Sequence, residues 1–198
     1  MKTHYIGHDD AYKNRKANGF IGWGEDADNY KSIISYVNDA IKNHNIPKRG
    51  KLLELGCGAG NISFILAKLG FQISGIDIAP TAITWAQELA ERHQIQADFR
   101  VGDVVNLNDY SADSFDVLLD GHCLHCIIGD DRAKFLSNSF RVLKPGGFFI
   151  TETMCGDYTG EFGNNEHFDP ETRCTYFKKH PFFDDDLADL PPKSRTML

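Results

Sequence analysis

The segment from Leu52 to Gly60 constrains the fold of this 198-residue chain more than any other. It reads LLELGCGAG, an apolar run that ends in glycines at positions 56, 58 and 60. The run predicts a buried strand, and the glycines predict a tight turn into a helix, where backbone N–H groups can hold a nucleotide-like ligand. Glycine allows a sharp turn and close approach to a ligand without a Cβ. A tight turn that holds no ligand is the alternative interpretation.

Five short apolar runs alternate with helical patterns along the chain. Their length and continuous apolar character predict strands buried on both faces of a parallel sheet. Strands that alternate with helices imply right-handed crossovers, and therefore an α/β, Rossmann-like, doubly wound sheet of about five parallel strands with helices on both faces. The predicted strands are Leu52–Leu55, Phe71–Ile76, Asp98–Val101, Phe115–Leu119 and Phe148–Thr151.

Apolar residues that recur every three or four positions predict the helices. One such stripe precedes the first strand and ends before Pro47, and three more lie between later strands. Their members are Tyr30, Ile33, Ile34, Val37, Ala40 and Ile41; Ile62, Ile65, Leu66 and Leu69; Ala82, Ile83, Ala86, Leu89 and Ala90; and Phe135, Leu136, Phe140 and Leu143.

These patterns predict a single domain over residues 1–198, with three parts. Residues 1–28 lack a sustained period and predict an ordered arm or lid, whose aromatic residues line a substrate pocket or cover the core. Residues 29–152 form the predicted cofactor-binding core. Residues 153–198 have neither Ile nor Val and predict an irregular tail without a strand.

The composition restricts the expected binding partners of the protein and its expected cellular compartment. The net charge of −7 has no basic stripe to offset it, so a nucleic-acid partner is disfavoured. No apolar run approaches the roughly 18 residues of a membrane span, and the N-terminus has no apolar signal segment. Five scattered cysteines do not suggest a disulfide framework. We therefore expect a cytoplasmic protein with reduced thiols and no membrane partner.

The spacing of the glycines distinguishes between cofactors. A dinucleotide-binding turn has the pattern G-x-G-x-x-G, but the third glycine here is Gly60 and position 61 is Asn. The pattern from Glu54 is E-x-G-x-G-x-G, and the chain then carries Gly75-Ile76-Asp77-Ile78, Val101-Gly102-Asp103-Val104 and Leu143-Lys144-Pro145-Gly146-Gly147-Phe148 in order. Over residues 29–152 the sequence resembles the class I S-adenosylmethionine-dependent methyltransferases.

This resemblance implies the strand order 3-2-1-4-5 and S-adenosylmethionine as cofactor, with S-adenosylhomocysteine as product. In the family, the acid matching Asp77 binds the ribose hydroxyls, and the acid matching Asp103 reads the adenine with the next backbone N–H. Glu54 would face the methionine ammonium or orient the turn. The cofactor-binding residues implied are Glu54, Gly56, Cys57, Gly58, Gly60, Asp77, Ile78, Asp103, Val104 and Gly121.

The fourth strand ends in Asp120-Gly121-His122-Cys123-Leu124-His125-Cys126, at the sheet edge where the acceptor is expected. Its His and Cys spacing is not that of a usual zinc site, so no metal is predicted. His122 is the candidate catalytic base, and the alternative is a structural role. Methyl transfer needs no obligatory base. The segment also lacks the D/N-P-P-Y/F pattern of nucleobase methyltransferases, so a small-molecule acceptor, methylated by direct displacement, is predicted.

The sequence departs from the family at its C-terminal end, where the usual antiparallel strand pair is not visible. Three explanations are a truncated chain, which is favoured, an irregular tail that covers the fifth strand, or a homodimer that pairs through this edge strand. Two other functions stay open: a non-catalytic S-adenosylmethionine-binding module, and an NAD-dependent oxidoreductase, which Asn61 disfavours.

Overall fold

A computed structural model describes residues 6–153, 166–169 and 174–177 of the chain. Helices and strands alternate through most of it, as predicted. The helices are α1 (Ile6–Ala17), α2 (Lys31–Asn43), α3 (Asn61–Lys68), α4 (Pro80–His93) and α5 (Asp130–Val142). The strands are β1 (Gly50–Leu55), β2 (Phe71–Asp77), β3 (Ala97–Val101), β4 (Phe115–Asp120), β5 (Leu143–Thr151), β6 (Glu166–Asp169) and β7 (Cys174–Phe177).

Strands β1 to β5 form one parallel sheet in the order β3-β2-β1-β4-β5, which confirms the predicted architecture. The chain reverses the direction in which strands are added between β1 and β4. In sheets of this kind the crevice at the carboxyl ends of these two strands is where ligands bind. The fold therefore places the glycine turn, which follows β1, at the expected binding position.

The core lies on both faces of the sheet. Along β1, Leu52 packs in a cluster on one face, whereas Leu53 and Leu55 pack in a second cluster on the other. In β4, Val117 and Leu118 divide between the same two clusters. Because side chains alternate between the faces of a strand, a continuous apolar run is what a strand covered on both faces requires.

The structure corrects three predictions. The predicted arm contains helix α1, whose buried side chains are Ala11 and Tyr12, too few to give a visible period. The predicted irregular tail contains β6 and β7, which pair antiparallel as a separate two-stranded sheet. Their four-residue lengths are too short for a strand pattern to be visible in the sequence.

In α5 the predicted apolar face is right at Phe135 and wrong at Leu136 and Phe140. Phe135, Ser139 and Val142 are the buried residues, whereas Leu136 and Phe140 are 47% and 83% exposed. The helix ends at Val142, one residue before the predicted last member of its apolar stripe, Leu143, and two before Lys144, where the predicted Lys-Pro-Gly-Gly stop begins. That segment lies inside β5, where the pairing with β4 shifts register, because Gly146 has a φ of 78° and Pro145 has no N–H to donate.

Candidate active site

A cavity of about 760 Å³ lies at the carboxyl ends of the strands. It is lined by residues after β1, β2, β3, β4 and β5, by α1, and by the segment that joins α1 to α2. The predicted site residues that line it are Glu54, Gly56, Cys57, Gly58, Asp77, Ile78, Asp103, Val104, Gly121 and His122. Gly60 does not line it. With a φ of 79°, Gly60 occupies the N-cap of α3, and a Cβ there would lie 2.9 Å from Phe64.

The glycine turn is fixed to the neighbouring strand by its own backbone. The N–H groups of Gly56 and Cys57 donate to the carbonyl of Ile76, at 2.8 and 3.1 Å. Gly58 has a φ of 53°, a conformation that favours glycine, and its N–H donates to Asp77 at 2.8 Å. The turn and the end of β2 therefore form one hydrogen-bonded unit.

Asp77 is the acceptor that holds this unit together. Its Oδ2 accepts from Gly58 and its Oδ1 accepts from the N–H of Ala79, at 2.9 Å, while the side chain stays buried. Burial raises the pKa of this carboxyl to about 6, although the two backbone N–H groups oppose the rise. Each carboxylate oxygen can accept a further hydrogen bond, so the group can still bind hydroxyls in the cavity.

Glu54, at the end of β1, is almost completely buried and accepts a hydrogen bond from the Ser63 hydroxyl of α3. Burial raises its pKa to about 8, and the nearby acids Asp77 and Asp120 add to the rise. A cation in the cavity beside Glu54 would favour the ionised carboxylate. Asp103, which follows β3, is half-buried, and its Oδ1 accepts from the N–H of Val105 at 2.9 Å.

Asp120 is a buried residue at the end of β4 that was not predicted as part of the site. Its Oδ1 accepts from the N–H groups of Cys123 and Leu124, at 2.9 and 3.0 Å. Its Oδ2 accepts from the Thr151 hydroxyl of β5, at 3.0 Å. These bonds fix the loop that carries His122, whose φ of 65° is uncommon for a residue other than glycine.

His122 lies beside the end of β5. Its Nε2 is 3.3 Å from Oε2 of Glu152, a residue that the sequence did not single out. Asp120 pairs with Thr151 in the parallel register of β4 and β5, so residues just beyond both strand ends lie close together. The predicted adjacency of β4 and β5 in the sheet is thus the sequence feature from which the closeness of Glu152 to His122 could have been inferred.

The cysteines that line the cavity have raised thiol pKa values. Burial raises the pKa of Cys126 to about 12 and also raises the pKa values of Cys57 and Cys123 well above the ordinary thiol value. Burial lowers the pKa of His125, so that imidazole is neutral near neutral pH. Among the described residues, no group of three or more His, Cys, Asp or Glu side chains is arranged to hold a metal ion.

Helix α1 covers the glycine turn. Tyr12 is buried, and its hydroxyl lies so close to Gly58 that a Cβ there would be 2.3 Å from the Tyr12 oxygen. The ring of Tyr12 packs edge-on against Trp23, and the Arg15 guanidinium lies 3.9 Å from the centre of a Trp23 ring. Tyr12, Phe20 and Trp23 line the cavity, as one interpretation of the predicted arm required. The sequence offers further aromatic residues for lining the pocket or covering the core, Tyr5 in the arm and Phe162, Tyr176 and Phe177 in the tail, and their side chains lie outside the described residues.

The lining is strongly acidic. It carries five carboxyl side chains, whereas no Lys or Arg is among the described lining residues. Such a cavity favours a cationic ligand and disfavours phosphate. The acids are Glu25, Glu54, Asp77, Asp103 and Glu152.

The comparison with known proteins identifies the family. The methyltransferase domain family matches residues 53–151, which include the glycine turn and every strand from β2 to β5. The chain belongs to the class I S-adenosylmethionine-dependent methyltransferases. This methyltransferase domain uses S-adenosylmethionine as its cofactor, as predicted.

The curated relatives match this chain over part of its length. A ubiquinone biosynthesis O-methyltransferase of Methylobacterium nodulans is 31% identical over 61% of this chain and 51% of its own. A ribosomal RNA small subunit methyltransferase C of Alcanivorax borkumensis is 32% identical over 54% of this chain and 33% of its own. The chain therefore spans about half or less of the length of these relatives.

Solved structures agree with the fold of this methyltransferase. The PH0226 protein of Pyrococcus horikoshii is 26% identical, with a TM-score of 0.64 over 75% of this chain and 71% of its own. A putative S-adenosyl-L-methionine-dependent methyltransferase of Methanococcus maripaludis is 19% identical, with a TM-score of 0.59 over 77% of this chain and 67% of its own. Among the described residues, no helix is long and apolar enough to cross a membrane.

Proposed function

We propose that this chain methylates a small-molecule acceptor by direct displacement at the carboxyl edge of the sheet. The observation that carries the proposal is the cavity beside the glycine turn, whose lining has five acids and, among the described residues, no Lys or Arg. When bound, S-adenosylmethionine supplies a methyl group on a positively charged sulfur that leaves as a neutral thioether. An acidic cavity suits that charge.

The residues around the glycine turn suit this cofactor. Glu54 can face the methionine ammonium, since a buried carboxylate gains from a cationic partner. Asp77 can accept hydrogen bonds from the ribose hydroxyls through the lone pairs that Gly58 and Ala79 leave available. Asp103 and the following N–H can bind the adenine edge. We call the part of the cavity formed by these residues the cofactor side.

The rest of the lining would receive the acceptor. It combines α1 and the aromatic residues Phe20, Trp23 and Tyr30 with the ends of β4 and β5. We call this part the acceptor side. Alignment of an acceptor with the methyl group by such a pocket can supply roughly 7–11 kcal/mol of the rate enhancement.

The lining favours a small molecule over RNA. Binding to a phosphate backbone depends on Lys and Arg contacts, and the net charge of −7 together with the acidic lining opposes it. One relative is named as acting in ubiquinone biosynthesis and another as acting on ribosomal RNA. The charge of this cavity supports the first of these substrate classes.

The first experiment is calorimetric titration of the folded protein with S-adenosylhomocysteine. We expect saturable binding, and its absence at millimolar ligand would contradict the proposal. Methyl transfer from S-adenosylmethionine carrying a tritiated methyl group is then measured with phenols, catechols, amines and thiols, and with ribosomal RNA. Transfer to RNA alone overturns the small-molecule assignment, and binding without any transfer indicates a non-catalytic module. Saturable enhancement of NADH fluorescence would instead support the oxidoreductase.

A further inference from the structure

Three buried polar atoms on the acceptor side have no hydrogen-bond partner among the described residues. They are Oγ1 of Thr153, Nδ1 of His125 and Oε2 of Glu152, which makes no hydrogen bond although Nε2 of His122 lies 3.3 Å from it. All three residues line the cavity. Buried polar atoms are almost always hydrogen-bonded, and an unpartnered group needs an explanation. Three such atoms in one part of a cavity indicate that a polar group of the ligand forms hydrogen bonds with them.

The chemistry of these atoms restricts that group. A carboxylate oxygen accepts hydrogen bonds, a threonine hydroxyl both donates and accepts, and the unprotonated nitrogen of a neutral imidazole accepts. A ligand hydroxyl can donate to one of these atoms and accept from another. A carboxylate or phosphate group on the ligand would instead face Glu152 without a cation among the described lining residues.

His122 and Glu152 form a pair beside these atoms, with Nε2 and Oε2 separated by 3.3 Å. The His122 side chain is 50% exposed, so a proton on it can pass to solvent. The pair is held by a rigid support, because buried Asp120 fixes the His122 loop and also bonds to Thr151, next to Glu152. In structures without substrate, catalytic hydrogen bonds are often long and tighten when the substrate binds.

We propose that the methyl acceptor is a hydroxyl compound whose oxygen binds at the ends of β4 and β5, and that the His122–Glu152 pair removes its proton. This inference rests on the proposed function. As the 3.3 Å contact tightens on substrate binding, Glu152 accepts from Nε2–H of His122, which leaves the Nδ1 lone pair free to act as the base, and Oε2 can still accept a second hydrogen bond from the ligand. Glu152 is thus a positioning residue, and His122 is the catalytic one.

The step balances. The acceptor oxygen forms a bond to the methyl carbon while the bond from that carbon to sulfur breaks, and the bonding pair stays on sulfur. The hydroxyl proton passes to Nδ1 of His122, which becomes an imidazolium beside the Glu152 carboxylate and later loses the proton to water. No oxidant or reductant is required.

A spectroscopic test does not depend on turnover. In ¹⁵N-labelled protein bound to S-adenosylhomocysteine at a mildly alkaline pH, the ring-nitrogen shifts should show His122 as the Nε2–H tautomer. The His122→Asn variant assigns the signals, and Asn tolerates the left-handed backbone at this position. In Glu152→Ala, which removes the acceptor of Nε2–H, both tautomers should be populated. An Nδ1–H tautomer in the wild type, or no change in Glu152→Ala, would overturn the pairing.

A kinetic test separates proton removal from positioning. With catechol and other hydroxyl acceptors of the panel, His122→Asn should lower kcat by about 10²-fold and Glu152→Gln by at least about tenfold, with little change in KM. The loss should be much smaller with 4-nitrocatechol, because a hydroxyl that is already ionised needs no base. Glu91→Gln, the same change on the exposed face of α4, is the matched control.

The outcomes distinguish this inference from the proposed function. Failure of the wild type to bind S-adenosylhomocysteine would contradict the proposed function itself. Binding with transfer confined to amines or thiols, or with no hydroxyl methylated, would overturn only the hydroxyl assignment. An equal loss with catechol and 4-nitrocatechol in both variants would show that the pair positions the acceptor without taking its proton.

Discussion

The two sides of the cavity differ in how the chain assembles them. On the cofactor side, Glu54, the glycine turn and Asp77 each end or follow a buried strand, and their hydrogen bonds join neighbouring strand ends. On the acceptor side, Tyr12 of α1, His122 and Glu152 come from distant parts of the chain. The cofactor side thus follows directly from the sheet, whereas the acceptor side depends on how loops and α1 pack onto it. Variants on the two sides should separate cofactor binding from methyl transfer.

The largest expected effect is that of Asp77→Ala on cofactor affinity. The change removes two hydrogen bonds to backbone N–H groups, at 2.8 and 2.9 Å, together with the proposed contacts to the ribose. We expect affinity for S-adenosylhomocysteine to fall by about 100-fold or more, measured by calorimetry. His122→Asn should leave this affinity unchanged.

Asp98→Ala, which removes an exposed acid on β3 that pairs with Arg100, is the control for lost negative charge. Equal losses of cofactor affinity in Asp77→Ala and His122→Asn would show that the cavity does not divide into two sides.

The positions of Glu54, Asp77 and Asp103 at the sheet edge were predictable from the sequence because the signals are local. Glu54, Asp77 and Asp103 follow strong apolar strands, and parallel strands bring their carboxyl ends to one edge. Gly60 differs from the prediction. It is the third glycine of the pattern, but it forms the N-cap of α3 and does not line the cavity.

The acceptor side was only partly predictable. His122 was found because it follows the predicted fourth strand. Tyr12 was placed in an arm and not in a helix, because α1 buries too few residues to show a period. Asp120, Thr151 and Glu152 act together through tertiary hydrogen bonds and register, which no local pattern in the sequence displays.

A moderate effect is expected from pH, and it tests whether Glu54 meets a cation. Burial raises the pKa of Glu54 to about 8, so the ligand-free protein holds a proton there at neutral pH. A cofactor ammonium beside Glu54 requires this proton to leave. Between about pH 7 and 8, above the pKa of about 6 of Asp77, affinity for S-adenosylhomocysteine should rise by up to about tenfold.

Calorimetry in two buffers of different ionisation enthalpy measures the proton released on binding, and Glu54→Gln should abolish both the release and the pH dependence. The raised pKa also stabilises the ligand-free fold at acidic pH, and this contribution is lost as the pH rises through about 8. Affinity that does not change with pH, without proton release, would place the cofactor ammonium away from Glu54.

The smallest expected effect concerns the attachment of α1 to the sheet. The N-cap residue of α4, Ala79, has no side-chain cap, and Oδ1 of Asp9 in α1 accepts from the N–H of Thr81 at 2.7 Å instead. Asp9→Ala should therefore lower the free energy of unfolding by about 1 kcal/mol. Asp10→Ala is the matched control, because Asp10 makes an exposed ion pair with Lys13 on the same helix and caps no neighbouring helix among the described residues.

The pH dependence of this difference has a definite sign. Partial burial raises the pKa of Asp9, but hydrogen bonds from Lys13 and Thr81 outweigh it and leave the pKa below its ordinary value. The stabilisation is present above the ordinary carboxyl pKa and is lost as the pH falls through the lowered one. Thermal unfolding of Asp9→Ala should thus approach that of the wild type in acid. Hydrogen exchange should show faster opening of α1 in this variant while β1 and β4 stay protected, because α1 packs on the outside of the sheet edge whereas β1 and β4 lie inside the sheet. Equal opening of both regions would show that α1 and the sheet unfold as one unit.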